Sequence, residues 1–180
     1  MSTIYFIKTM KNLIALILIV LWASGYTQEV SKKDQKEKRK VEKALEIEKL
    51  INSRIFVFKA SRALPQGMPS IDLTTNPNGV IFKSDTIESY MPFFGRAYHA
   101  DLNGEGGIKF KGTSKEFRIE TTKRGYGYEI NVKVLVPRES YQLNLFVSPG
   151  GSATLTISSN DRSSISYFGE VVQLEEPKIK

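Results

Sequence analysis

Tyr126-Gly127-Tyr128-Glu129-Ile130-Asn131-Val132-Lys133-Val134-Leu135-Val136 decides the fold. Tyr126, Tyr128, Ile130, Val132, Val134 and Val136 alternate with Gly127, Glu129, Asn131 and Lys133. A period of two puts one set of side chains on a buried face and the other on a wet face, which is a half-buried strand. After the Pro137–Ser140 turn the pattern returns at Tyr141, Leu143, Leu145 and Val147. It returns again at Ala153, Leu155 and Ile157, past Pro149-Gly150-Gly151, a strong hairpin signal.

Working outward, Phe117, Ile119 and Thr121 form another strand, closed by Lys123-Arg124-Gly125. Ile55–Ala60, Ser70–Leu73, Val80–Lys83, Thr86–Tyr90, Gly107–Lys111 and Ser164–Val172 complete the set. About nine or ten short strands joined by Gly, Pro and Asn turns predict a single antiparallel β-sandwich or β-barrel. No helical pattern follows residue 53, so a parallel sheet has no crossovers to build it.

Ahead of the strands, residues 31–53 contain no Gly or Pro and are dominated by good helix formers. Ser31 can cap this helix, with Asp34 three positions on. Val41, Ala44, Leu45, Ile47 and Ile51 fall at helical spacing and are expected to dock its second half on the core. Lys32 to Lys40 offers no apolar face and is expected to remain solvated. The organisation expected is a signal over 1–27, a charged helical lead-in over 28–53, an all-β domain over 54–176 and a tail over 177–180.

The signal is read from Leu13–Ala23, an apolar run of 11 residues. A membrane-spanning helix needs about 20 apolar residues. This run instead fits the apolar centre of a secretory signal, with Lys8 and Lys11 before it and Ala23, Ser24 and Gly25 after it. Met10 offers an alternative start. The expectation is a protein exported to the periplasm or secreted, with no transmembrane segment once the signal is removed.

Composition closes several doors. With no Cys among 180 residues there is no disulfide, iron–sulfur cluster, thiol nucleophile or lipoprotein acyl anchor. With one His, a multi-histidine metal site is excluded. The net charge of +7 is concentrated: residues 31–54 hold nine Lys and Arg against five acids, whereas residues 55–180 hold 15 against 13. A nucleic-acid partner, which needs basic residues interleaved with stacking aromatics on a folded face, is therefore not expected.

Pro92-Phe93-Phe94-Gly95-Arg96-Ala97-Tyr98 is the most unusual segment physically. Adjacent Phe side chains on an extended backbone point to opposite faces, so one is expected inside and the other needs its own cover. Gly95 permits a bend, and Arg96 can stack on Tyr98 or pair with an acid. Phe93, Phe94, Arg96 and Tyr98 are the candidate contacts for a ligand or partner; a core strand with a bulge and a structural Arg is the alternative.

This stretch resembles the Pro-Tyr-Phe-Gly-Arg-Ala-Tyr segment of the domain of unknown function 4251 family of exported Bacteroidetes proteins. Further blocks match in order. They are Arg54–Phe58 after a charged helix, Ser84–Ile87, Tyr90–Pro92, Gly107–Phe110, Gly151–Leu155, Ser158–Arg162 and Ile165–Gly169. Together they span roughly residues 36–172. Met91 and Phe93 depart from the family's tendency to Leu and Tyr. The resemblance implies export and a β fold, and it carries over no activity, cofactor or catalytic residue.

Other chemistry is thin. Asp101, Asn103 and Glu105, with Gly106 next, open like a calcium loop, but the twelfth position is Gly112 where a bidentate Glu belongs. A polar connection is the simpler reading, and no metal is expected. His99 with Asp101, or a carboxylate pair such as Glu116/Glu120 or Glu175/Glu176, would be the only routes to a hydrolase. Glu116, Arg118 and Glu120 share one strand face, which reads more simply as a solvated salt-bridge row. The function expected is non-enzymatic: a binding or interaction module of the bacterial cell envelope, without cofactor. A carrier of a small apolar, lipid-like ligand inside a barrel is the alternative.

Overall fold

A computed structural model describes residues 32–98, 106–122, 125–137 and 139–175. The expected signal, the tail, His99, Asp101, Asn103 and Glu105 lie outside the described residues. The chain divides into two units between Glu42 and Lys43.

Residues 32–53 form helix α1, as the run of helix formers predicts. Its first part, to Glu42, is exposed throughout and carries a Lys40–Glu37 ion pair at 2.9 Å. The helix stops at Arg54, whose backbone turns left-handed (φ 57°). Nine strands follow: β1 (Ile55–Leu64), β2 (Ile71–Asp72), β3 (Gly79–Lys83), β4 (Thr86–Met91), β5 (Ile108–Thr121), β6 (Tyr128–Leu135), β7 (Ser140–Val147), β8 (Ser152–Ser159) and β9 (Ile165–Val172).

Every neighbouring pair is antiparallel, and from β3 to β9 each strand pairs with the next. One side of β1 is shared: Ile55–Phe58 pairs with β3 and Arg62–Ala63 with the short β2. The other side pairs with β9 from Val57↔Val172 to Leu64↔Ser166. That last pairing joins the ends of the sheet, so the fold is a closed eight-strand barrel with one extra strand, not a sandwich. Closure satisfies the edge groups that an open sheet leaves unpaired.

Two short strands expected separately, Gly107–Lys111 and Phe117–Thr121, are one 14-residue strand, β5. No apolar residue occurs from Gly112 to Glu116, so the alternation fades there. A register shift between Ser114 and Glu116 bends the strand without breaking it.

Inward-facing residues fill the barrel. Phe56 stacks on Phe82 with centroids 4.5 Å apart, and Phe117 meets Phe82 edge-on at 6.3 Å. Phe110 stacks on Tyr141 at 4.3 Å. Phe58, Val134, Leu143, Leu145, Leu155 and Tyr167 are 0 % exposed. Each such burial contributes roughly 1.5–3 kcal/mol. Ser89 is the buried polar residue among them, and its hydroxyl donates to the Ile108 carbonyl at 2.8 Å.

The two ends differ. At the helix end, Ile47 and Ile51 join the core at 1 % and 0 % exposure, with the Ile47 side chain against Gly151 in the β7–β8 turn. Leu50 packs beside them. Val41 and Leu45, expected to dock, are 58 % and 51 % exposed. At about 100° per residue, Ala44, Ile47, Leu50 and Ile51 share one face, and Val41 and Leu45 fall on another. The opposite, far end holds the described residues of the β4–β5, β6–β7 and β8–β9 connections, Pro92–Tyr98 among them, and the chain that follows Leu64 of β1. The outer face carries Lys59, Lys83, Lys111, Glu116, Lys133 and Glu170. Among the described residues no helix is long and apolar enough to cross a membrane.

Candidate functional site

At the far end, β4 delivers Met91 into the core and the chain then turns across the barrel mouth. Pro92, Phe93 and Phe94 are half-buried, and Gly95 to Tyr98 are exposed. The two Phe thus share their burial rather than splitting it, because both rings pack against the core from the mouth. Tyr98 is 63 % exposed.

The segment is fixed by the β8–β9 connection. Arg96 and Ser163 exchange bonds: the Arg96 N–H donates to the Ser163 hydroxyl at 3.1 Å, and the Ser163 N–H to the Arg96 carbonyl at 2.9 Å. Tyr98 N–H donates to the Asp161 carbonyl at 2.8 Å, and Ala97 forms an antiparallel bridge with Arg162. Gly95 lets its neighbours close in. A Cβ there would stand 2.5 Å from the Ser163 hydroxyl and 2.7 Å from the Phe93 ring. The Arg96 and Tyr98 side chains are thus displayed from an ordered backbone.

Beneath the segment lies a polar cluster that local sequence patterns do not announce. Arg162 Nη1 donates to the Gly107 carbonyl at 2.6 Å, and its guanidinium lies 5.6 Å from the Phe93 centroid. Arg162 Nε stands 3.6 Å from Glu139 Oε1, with the two side chains only 14 % and 11 % exposed. The Tyr141 hydroxyl donates to Glu139 Oε2. The Tyr167 hydroxyl donates to the Pro92 carbonyl at 2.6 Å. Burial pushes the Tyr167 phenol far above its ordinary acidity range, and the nearby Arg162 charge offsets this only partly. A phenol held neutral in this way is a permanent donor. This cluster binds the loop, the barrel wall and the β8–β9 connection together.

Phe93, Phe94, Arg96 and Tyr98 are therefore contiguous, and only Arg96 and Tyr98 face solvent. Nothing in the sequence marks Glu139, Tyr141, Arg162 and Tyr167 as a group. Arg162 stands out only as the end of the block Ser158–Arg162, and only the barrel register carries it to Glu139. Of the carboxylates considered earlier, Glu116 and Glu120 are exposed on β5, and Arg118 Nη2 lies 3.7 Å from Glu116 Oε2, the expected salt-bridge row. Glu175 is exposed, and Glu176 lies outside the described residues. Among the described residues no three His, Cys, Asp or Glu come together as a metal site.

These features define an antiparallel β-barrel with an aromatic core, docked on by a helix at one end and strapped by a loop at the other. The chain belongs to the family described as Domain of unknown function (DUF4251), whose family model matches residues 38–171. The fold is similar to the crystal structure of a DUF4251 family protein from Bacteroides eggerthii DSM 20697. That similarity has a TM-score of 0.58 at 21 % identity, covering 74 % of this chain and 87 % of that one. No curated protein matches.

Proposed function

We propose that this protein is a non-enzymatic interaction module of the bacterial cell envelope, and that it meets a protein partner through the far-end segment, with Arg96 and Tyr98 as the contacts. The observation that carries this reading is the division of labour among aromatics. Phe56, Phe58, Phe82, Tyr141 and Tyr167 pack the interior at 0–3 % exposure, whereas Tyr98 is displayed at 63 %. An exposed Tyr beside an Arg, on a backbone already ordered by Asp161 and Ser163, has the composition of an interface anchor and little entropy left to lose. The envelope assignment rests on the apolar run Leu13–Ala23 and the basic flank before it.

The test is native mass spectrometry on the full chain purified without refolding, followed by solvent extraction. A mass equal to that of the polypeptide alone is expected. A stoichiometric apolar molecule of defined mass would overturn the reading in favour of a carrier with the ligand inside the barrel.

A further inference from the structure

We propose that the outer face of β5–β8 is a second binding site, and that its ligand is a neutral oligosaccharide. The barrel register aligns two polar rows there. One runs Glu116↔Lys133↔Gln142↔Ser158, the other Arg118↔Asn131↔Asn144↔Thr156. With strands about 4.8 Å apart, each row extends about 14 Å across the sheet, which suits a chain rather than a single ring. The face is concave where Asn131 and Ser158, which point outward yet are half-buried, line a groove together with Glu116, Arg118, Lys133 and Gln142. The groove has a volume of about 580 Å3.

Its chemistry selects the ligand class. Glu116 and Glu120 balance Arg118 and Lys133 along the lining, so no net field draws a phosphate or another anion. The apolar members of the lining, Val132 and Tyr141, are 1 % and 3 % exposed, leaving little to hold a lipid. An extended peptide binds a sheet by adding to a free edge, and β5 to β8 each pair on both sides. What the groove offers is interleaved carboxylate, guanidinium, amide and hydroxyl groups, the complement of a ligand dense in hydroxyls and short of charge. One lining amide is already held from beside the groove: Asn131 Oδ1 accepts from Asn144 Nδ2 at 2.7 Å, and Asn144 Nδ2 also donates to Glu129 Oε1 at 3.1 Å.

The experiment is a titration of the 15N-labelled full chain with neutral oligosaccharides of glucose, mannose, galactose, xylose and N-acetylglucosamine backbones. Sodium phosphate and the hexapeptide Gly-Ser-Gly-Ser-Gly-Ser serve as comparisons. Saturable movement of the Asn131 and Gln142 side-chain amide signals is expected with at least one sugar. Gln142→Ala, checked for an unchanged amide fingerprint, is expected to weaken that binding about tenfold, and Lys59→Ala on another face to leave it unchanged. No saturable shift with any sugar, shifts centred elsewhere on the barrel, or an equal response to phosphate or the hexapeptide would overturn the proposal. None of these results bears on the far-end surface, which uses different residues.

Discussion

The Tyr167 hydroxyl donates to the Pro92 carbonyl at 2.6 Å, tying β9 to the start of a loop 75 residues earlier in the chain. Pro92 follows directly on β4, so this bond sets the angle at which the chain leaves the barrel wall. Tyr167→Phe keeps the ring and strands the carbonyl, with an expected loss of about 1–2 kcal/mol in urea unfolding at unchanged m. Alkali reports the burial of the same phenol. The folded phenol titrates above its ordinary value of 10.0. The stability it contributes is therefore complete below pH 10.0 and lost as pH rises beyond it. Tyr167→Phe is expected to decline less steeply above that point; parallel pH profiles for the two proteins would refute the assignment.

Arg162 and Glu139 form the second tie. Removing either partner leaves a charge in a mostly buried place, and Arg162→Ala also removes the bond to Gly107 and the contact with Phe93. Arg162→Ala is expected to cost about 3–5 kcal/mol. In a double-mutant cycle with Glu139→Ala the coupling is expected at about 1–3 kcal/mol. Strict additivity would mean that the two side chains hold the far end independently.

How much of this was legible follows from the range of each interaction. The alternation over Tyr126–Val136 is a local property, and Ile130, Val132 and Val134 are at most 1 % exposed, as it predicts. Tyr126 breaks the pattern at 71 % exposure because it stands in the turn before β6. Barrel closure was not legible. It depends on β1 meeting β9, and nothing in either strand's own alternation names its partner. The same holds at the far end: Pro92–Tyr98 stood out by its composition, whereas nothing pairs Glu139 with Arg162 until the register brings them together.

Helix α1 separates local propensity from packing. The run of helix formers continues back to Lys32, but only Ile47 and Ile51 are deeply buried. Ile51→Ala is expected to cost about 2–5 kcal/mol. Deleting Lys32–Lys40 is expected to change stability by less than about 0.5 kcal/mol, since that stretch is exposed throughout. A large fall in melting temperature after that deletion would show that the lead-in supports the barrel.

Closure itself can be tested at Gly169. This residue pairs with Ala60 across the β1–β9 seam, beside the register shift between Ala60 and Arg62. A Cβ at Gly169 would run into the Lys59 carbonyl and stand 2.9 Å from Ala60 Cα. Both obstacles are backbone, so relief requires the strands to part. Gly169→Ala is expected to destabilise by about 1–3 kcal/mol, with amide exchange quickened first in β1 and β9. Uniform exchange across the barrel would mean that the seam is no weaker than the rest.

The far-end surface makes a different demand, because a binding residue, Tyr98, and a structural residue, Phe93, five positions apart should respond oppositely. Phe93 is half-buried against Arg162, so Phe93→Ala is expected to cost about 1–3 kcal/mol. Tyr98 is exposed and its backbone bond to Asp161 does not involve the ring, so Tyr98→Ala is expected to stay within about 0.5 kcal/mol. Binding should invert this order. A photo-crosslinker placed at position 98 in living cells is expected to give a discrete protein adduct that Arg96→Ala diminishes. The same probe at position 126, equally exposed but at the helix end, is expected to give none. Equal adducts from both positions would remove the reason for assigning the partner to Arg96 and Tyr98.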